Sequence, residues 1–368
     1  IWLVAFAVNL SAAFILAANS WMQHPVGATF NEVTGRAEMT DIGAVLTSST
    51  FLSALSHTIS ASFLTAGTFI AGISAWWMVR KVRQDKAAAA AAEVEFNPET
   101  SEAATVYKPA FKIGLVTIVV SGLALLGTGD VQAKILFQHQ PMKMAAAEAL
   151  CESENGAAFS VLTLGDGTND CAGINHLITI PGVTSFLAAS DFNAPLQGVT
   201  ELQAEYEATY GEGVDYVPNM MIAYWSFRLM MAFAAGSVAV ALVGWWLTRK
   251  GRLPDSDWLR RIALIALPTP FLASSFGWIF TEMGRQPWIV APNPQMIDPI
   301  YLLTERGVST AVPAWAVLVS MIAFTVIYAV MAIAWAKVLI KYTRKGAVPV
   351  AEPSLDNDAP DKPLSFAY

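Results

Sequence analysis

One histidine, one arginine and one methionine stand out in stretches where nearly everything else is apolar. His57 lies in Leu52–Ser60, and Arg228 and Met230 lie in Tyr224–Met231. Ionisable groups inside a bilayer are costly, which makes each a candidate for chemistry. Neutral imidazole ligates iron well, and a thioether on the opposite side raises the iron's potential. Taken singly, His57 also fits a histidine bonded to a carbonyl of a neighbouring helix, and Met230 fits ordinary packing. Arg228 is different, because a guanidinium at that depth needs an anion such as a carboxylate or a heme propionate. Further along, Trp278, Glu282 and Arg285 are spaced i, i+4 and i+7 and share one helical face. A carboxylate there can ligate a high-spin iron. The plainer alternative is an interfacial ion pair closing a helix before Gly284 and Pro287, with Trp288 as a belt aromatic.

A second group lies outside the apolar stretches. Asp130, Gln140, Lys143 and Glu148 follow one another closely, the last two in the helix-forming run Lys143–Glu148. They read either as a solvated amphipathic helix or as a headgroup site whose carboxylate takes protons from a quinol. Cys151 and Cys171 are the two cysteines of the chain. An oxidising compartment favours a disulfide between them, and two free buried thiols are the other reading. Nothing resembles a CxxC redox motif.

The elements that must carry these residues are membrane spans. The 368-residue chain is 55% hydrophobic and only 14% charged, well below the ~25% of a soluble domain. Ile1–Ala18, Leu52–Val79, Phe111–Gly127, Met220–Leu247, Trp258–Phe280 and Ala311–Ile340 are long enough, or nearly so, for the ~20 residues a helix needs to cross. Basic residues stay on the cytoplasmic side. Arg80, Lys81, Arg83 and Lys86, then Lys108 and Lys112, then Arg249, Lys250, Arg252, Arg260 and Arg261, and finally Lys341, Arg344 and Lys345 all fall on one side of an alternating topology. The segment 128–218, with Lys134 and Lys143 against twelve acids, then lies outside. Four parts result: three spans with an inner linker over 1–127, an outer loop over 128–218, three spans over 219–345, and a disordered inner tail over 346–368. The net charge of −7 leaves no basic face beyond the short inner loops, which excludes nucleic-acid binding. At 1.5 Å per residue, His57 lies about 9 Å and Met230 about 15 Å below their outer helix ends. Helix tilt absorbs that difference, so the two could grip one heme from facing helices.

These pieces occur in order in one family. Asn9–Ala12, Trp21–Gln23, His57–Thr58, Gly72–Trp76, Gly129–Gln132, Gln140–Ala146, Phe227–Met230 and Glu282–Trp288 resemble strings of subunit I of cytochrome bd quinol oxidase, from residue 1 to 345. The Gly284–Trp288 string is the most specific. The resemblance implies an all-α polytopic membrane fold with a large periplasmic quinol loop, here of the short-loop, actinobacterial-like kind with its cysteine pair. His57 and Met230 would be the axial ligands of a low-spin b heme, with Arg228 beside it. Glu282 would ligate a high-spin b heme, with Trp278 between hemes and Arg285 nearby. Lys143 and Glu148 would bind quinol.

The cofactors implied are two b-type hemes and heme d. The implied partners are subunit II, a small single-span peptide, membrane lipid, and ubiquinol or menaquinol. The family carries about three further helices before this point, including part of the oxygen site, so this sequence is expected to be a fragment of a subunit with about nine. The implied activity is oxidation of quinol at the outer face of the bacterial inner membrane and reduction of O2 to water, generating proton motive force without a pump. The rival reading is a heme-free transporter or channel subunit, to which in-span polar groups and Pro268 and Pro270 would belong. A non-catalytic structural subunit would leave Arg228 unexplained.

Overall fold

The computed structural model of the protein describes residues 1–169, 171–293, 295–296 and 300–347. The chain forms two units, 1–309 and 310–368. The first contains α1 (Trp2–Gln23), α2 (Ile42–Leu46), α3 (Ser49–Ala91), α4 (Lys108–His139), α5 (Pro141–Glu148), α6 (Val183–Ala189), α7 (Val199–Tyr210), α8 (Met220–Thr248), α9 (Asp257–Ala266) and α10 (Thr269–Met283). The second contains α11 (Ala314–Lys345). The expected tail lies outside the described residues from 348 onward.

Six helical segments are long and apolar enough to cross a membrane, and they coincide with the six expected spans. The fifth is built from two helices. Pro268 has no N–H to donate and Pro270 follows in the first turn, so α9 ends and α10 begins within one span. At 1.5 Å per residue the 43-residue α3 is about 65 Å long, twice the ~30 Å hydrocarbon core. Its inner end continues as helix through the alanine run to Ala91. There Arg83 meets Asp257 at 2.6 Å and Lys86 meets Asp255 at 2.6 Å. Such exposed pairs add little stability, but they fix the α8–α9 connection against α3.

Without a hydrophobic drive between helices in lipid, close packing depends on small residues. Gly114 of α4 faces Ala71 of α3 so closely that a Cβ on Gly114 would lie 2.5 Å from the Ala71 nitrogen. Leu64, Ala75, Met78, Val79, Val82 and Leu115 are buried along the same seam. This contact sets the outer end of α4 beside the outer half of α3, where His57 stands.

Among the described residues the strands form four two-stranded antiparallel sheets, all outside the spans. They pair β1 (Ala28–Asn31) with β2 (Arg36–Met39), and β3 (Glu154–Asn155) with β6 (Pro195–Leu196). They also pair β4 (Phe159–Leu164) with β5 (Asn175–Ile180), and β7 (Trp288–Val290) with β8 (Leu302–Leu303). A disulfide joins Cys151 to Cys171, with Cα atoms 5.8 Å apart, next to a core of Leu202, Tyr216, Met220 and Trp288. One sequence alternative fails here. α5 is not a solvated amphipathic helix, because every residue from Met142 to Glu148 is buried. Two of its eight residues are methionine, one is lysine and three are alanine, so it fits against α4, α7 and α8 without a recognisable apolar stripe.

Candidate heme and quinol site

The position of His57 is set by α4. Its Nδ1 lies 3.0 Å from Thr128 Oγ1, and Gly129 leaves room for the ring, since a Cβ there would stand 3.5 Å from His57 Cε1. Thr128 spends its hydroxyl proton on the Ala124 carbonyl at 2.8 Å. With that bond made, the imidazole can donate through Nδ1–H to Thr128, which leaves the Nε2 lone pair available. A ring held through one nitrogen with the other presented is the usual arrangement of a metal-binding histidine. The Met230 sulfur lies against Gly277 of α10, where a Cβ would approach to 3.0 Å.

Among the described residues, no three His, Cys, Asp or Glu side chains converge on a common point. The available donors, an imidazole, a thioether and a carboxylate, are axial heme ligands by chemistry. The residues fit the group.

Arg228 finds its anion in Glu148. Its Nη2 donates to Glu148 Oε2 at 2.7 Å and its Nε to the Ser160 carbonyl at 2.8 Å. Its Nη1 reaches the Ala147 carbonyl at 3.4 Å and Glu148 Oε1 at 3.3 Å. The rings of Phe159 and Tyr224 flank the guanidinium carbon at 4.2 and 4.5 Å. Thr184 donates a further bond to Glu148. Burial pushes the Glu148 carboxyl up, with Arg228 opposing that shift.

Lys143 points to another side of α5. Its ammonium donates to Gln23 Oε1 at 3.2 Å and to the Thr281 carbonyl at 3.1 Å, and lies over the Phe280 ring. Its stem crosses Gly284, where a Cβ would come within 3.1 Å of Lys143 Cγ. Burial, reinforced by Arg285, lowers its pKa to about 7, with Glu282 opposing. Gln140 also bonds Gln23, both at the backbone carbonyl and at Oε1. Beside this network is a cavity lined by His139, Gln140, Lys143, Tyr206, Arg285 and Trp288, among others. Glu148 does not line it, so the structure separates the two expected quinol residues.

Glu282 accepts from Asn19 at 2.7 Å and from Arg285 Nη2 at 2.6 Å. Two bonds leave lone pairs on a carboxylate, and the side chain is 41% exposed. Trp278, one turn back on the same face, is exposed as well. Arg285 is buried, and its Nε and Nη1, like Gln140 Oε1, have no partner among the described residues. Buried polar atoms left unpaired are costly, which makes this place a candidate for binding polar ligand groups.

Two residues were not singled out from the sequence. His24 and His139 stack with ring centroids 3.7 Å apart and planes 6° from parallel. The only signal for them was a mirrored dipeptide, Gln23-His24 and His139-Gln140, at the outer ends of two spans.

The cytochrome bd terminal oxidase subunit I family matches residues 1–347. The chain is 37% identical over 348 residues to cytochrome bd ubiquinol oxidase subunit 1 of Bacillus subtilis (strain 168), covering 94% of this chain and 67% of that protein. It is 27% identical over 401 residues to cytochrome bd-II ubiquinol oxidase subunit 1 of Escherichia coli (strain K12), covering 94% and 72%. Its fold is similar to that in the structure of bd oxidase from Geobacillus thermodenitrificans, with a TM-score of 0.72 at 24% identity, covering 94% of this chain and 69% of that one.

Proposed function

The chain belongs to the cytochrome bd terminal oxidase subunit I family, and from that premise we propose how its residues divide the work. As a member, it is a multi-pass bacterial inner-membrane subunit of a terminal respiratory quinol oxidase, a quinol:O2 oxidoreductase with heme cofactors and a subunit II partner. His57 and Met230 would hold the low-spin b heme and Glu282 the high-spin b heme, and the hemes, with heme d, would supply one-electron transfer and the reduction of O2.

The chain's own residues do the rest. Thr128 fixes the His57 tautomer that presents Nε2 to iron. Arg285 orients the Glu282 carboxylate. Lys143, Gln140 and Arg285 offer polar atoms to the quinol headgroup in the cavity, with Tyr206 and Trp288 as its apolar walls. Glu148 anchors α5 to α8 through Arg228. The cavity lies on the outer side of the topology set by the basic loops, so quinol protons leave outward while protons for water enter from the inside. This separates charge without a pump.

The anchoring of His57 through Nδ1 to Thr128, with Gly129 leaving room beside the ring, is the observation that carries the heme reading. A reduced-minus-oxidised absorption spectrum of the purified complex tests it. Bands of b and d hemes are expected, and a featureless spectrum would instead support the transporter or channel reading.

A further inference from the structure

Strand β4 is irregular, and its irregularity has a use. Strict alternation would put Ser160 and Thr163 on opposite faces. Register shifts between Ser160 and Leu162, and between Leu162 and Thr163, bring both hydroxyls to one side. There they hydrogen-bond each other and meet Nδ1 of His176 on β5, which lies 3.0 Å from Ser160 Oγ and 2.8 Å from Thr163 Oγ1. Both hydroxyls are buried, whereas His176 is exposed. With Nδ1 as acceptor, both hydroxyl protons are used, one between the two hydroxyls and the other on the ring.

The backbone of the same strand reaches the Arg228 site. The Ser160 carbonyl accepts from Arg228 Nε at 2.8 Å and from the Tyr224 hydroxyl at 2.9 Å. Phe159, the preceding residue, lays its ring on the guanidinium. Arg228 holds the end of α5 through the Ala147 carbonyl and the Glu148 carboxylate. α5 in turn carries Lys143 to the cavity wall.

We propose that His176 is a positioning residue for quinol oxidation: by accepting from the paired hydroxyls it fixes the β4 bulge, and with it the carbonyl that seats Arg228 and the end of α5. The inference rests on the quinol reading of the outer loop. His176 does not line the cavity and acts through β4. Without the imidazole, the two hydroxyls have only each other as acceptors in the trio, and one buried proton is left unpaired. β4 relieves this by opening the pair to water, which moves the Ser160 carbonyl. A displaced α5 holds quinol less tightly in the ground state and the transition state alike, so KM rises and kcat stays.

The test is turnover of a short-chain quinol by the intact oxidase complex. His176→Leu should raise KM about three- to ten-fold, the contribution of one hydrogen bond. Its kcat should stay within about two-fold, with the heme spectrum of the wild type. His176→Asn should keep the wild-type KM, because its Oδ1 accepts from the place of Nδ1. His176→Gln should raise KM, because its longer side chain puts the acceptor at the place of Nε2. Wild-type KM in His176→Leu, or equal KM in His176→Asn and His176→Gln, would overturn the proposal. If His176→Leu loses its hemes, the Asn and Gln variants decide alone. Lys143→Met separates the two levels. An unchanged quinol KM there defeats the quinol reading itself, whereas a raised KM there with a wild-type KM in His176→Leu defeats only the role of His176.

Discussion

Two arginine–glutamate pairs lie at the outer side of this protein and are built in opposite ways. Arg228–Glu148 is closed, with four hydrogen bonds from the guanidinium, rings on its faces and both side chains under 10% exposed. Arg285–Glu282 is open. It is joined by one short bond, its carboxylate is partly exposed, and two buried guanidinium nitrogens have no partner among the described residues. A pair held this closely locks α5 against α8. An unsaturated pair keeps capacity that only a ligand can use. The contrast sets a Glu148 carboxylate locked to α8 against an Arg285 guanidinium that keeps two buried donors for a ligand.

The contrast can be broken from either end. Arg228→Met leaves Glu148 buried and unpaired, which should cost about 3–5 kcal/mol, read as a lower unfolding midpoint of the complex. The double change with Glu148→Leu should recover most of that loss, because no charge then remains to be compensated. Arg285→Gln should cost the fold only about 1 kcal/mol or less, as for other partly exposed pairs. Heme retention should suffer more, because loss of a residue that orients a ligand typically weakens metal binding about ten-fold or more. Equal destabilisation by the two arginine changes would mean that the pairs are alike. The smallest effect concerns Lys143. Its pKa falls from the ordinary lysine value of 10.5 to about 7 on folding, so the unfolded chain binds more protons between those values. Stability should therefore rise with pH across that window, and denaturation measured over it should show a shallower rise in Lys143→Met.

The spans were legible because crossing a bilayer demands long apolar runs, and basic loops betray their direction. Local site chemistry was also legible where it lies within one helix. Trp278, Glu282 and Arg285 share a face because i, i+4 and i+7 must. Partners drawn from remote elements were not legible. Nothing in Lys143–Glu148 shows that its alanines pack into a buried niche, or that Lys143 and Glu148, about 140° apart around the helix, face different neighbours. The break of the fifth span at Pro268 was visible as a proline but not as two helices. The His24–His139 stack joins single histidines 115 positions apart, and neither alone differs from a helix-end histidine.

The account depends most on His57 presenting Nε2 to iron. Replacing His57 with alanine in the intact oxidase and recording the reduced-minus-oxidised spectrum tests this directly. The low-spin b bands should disappear while the high-spin bands held through Glu282 persist. Low-spin bands of wild-type size in that variant would contradict the assignment.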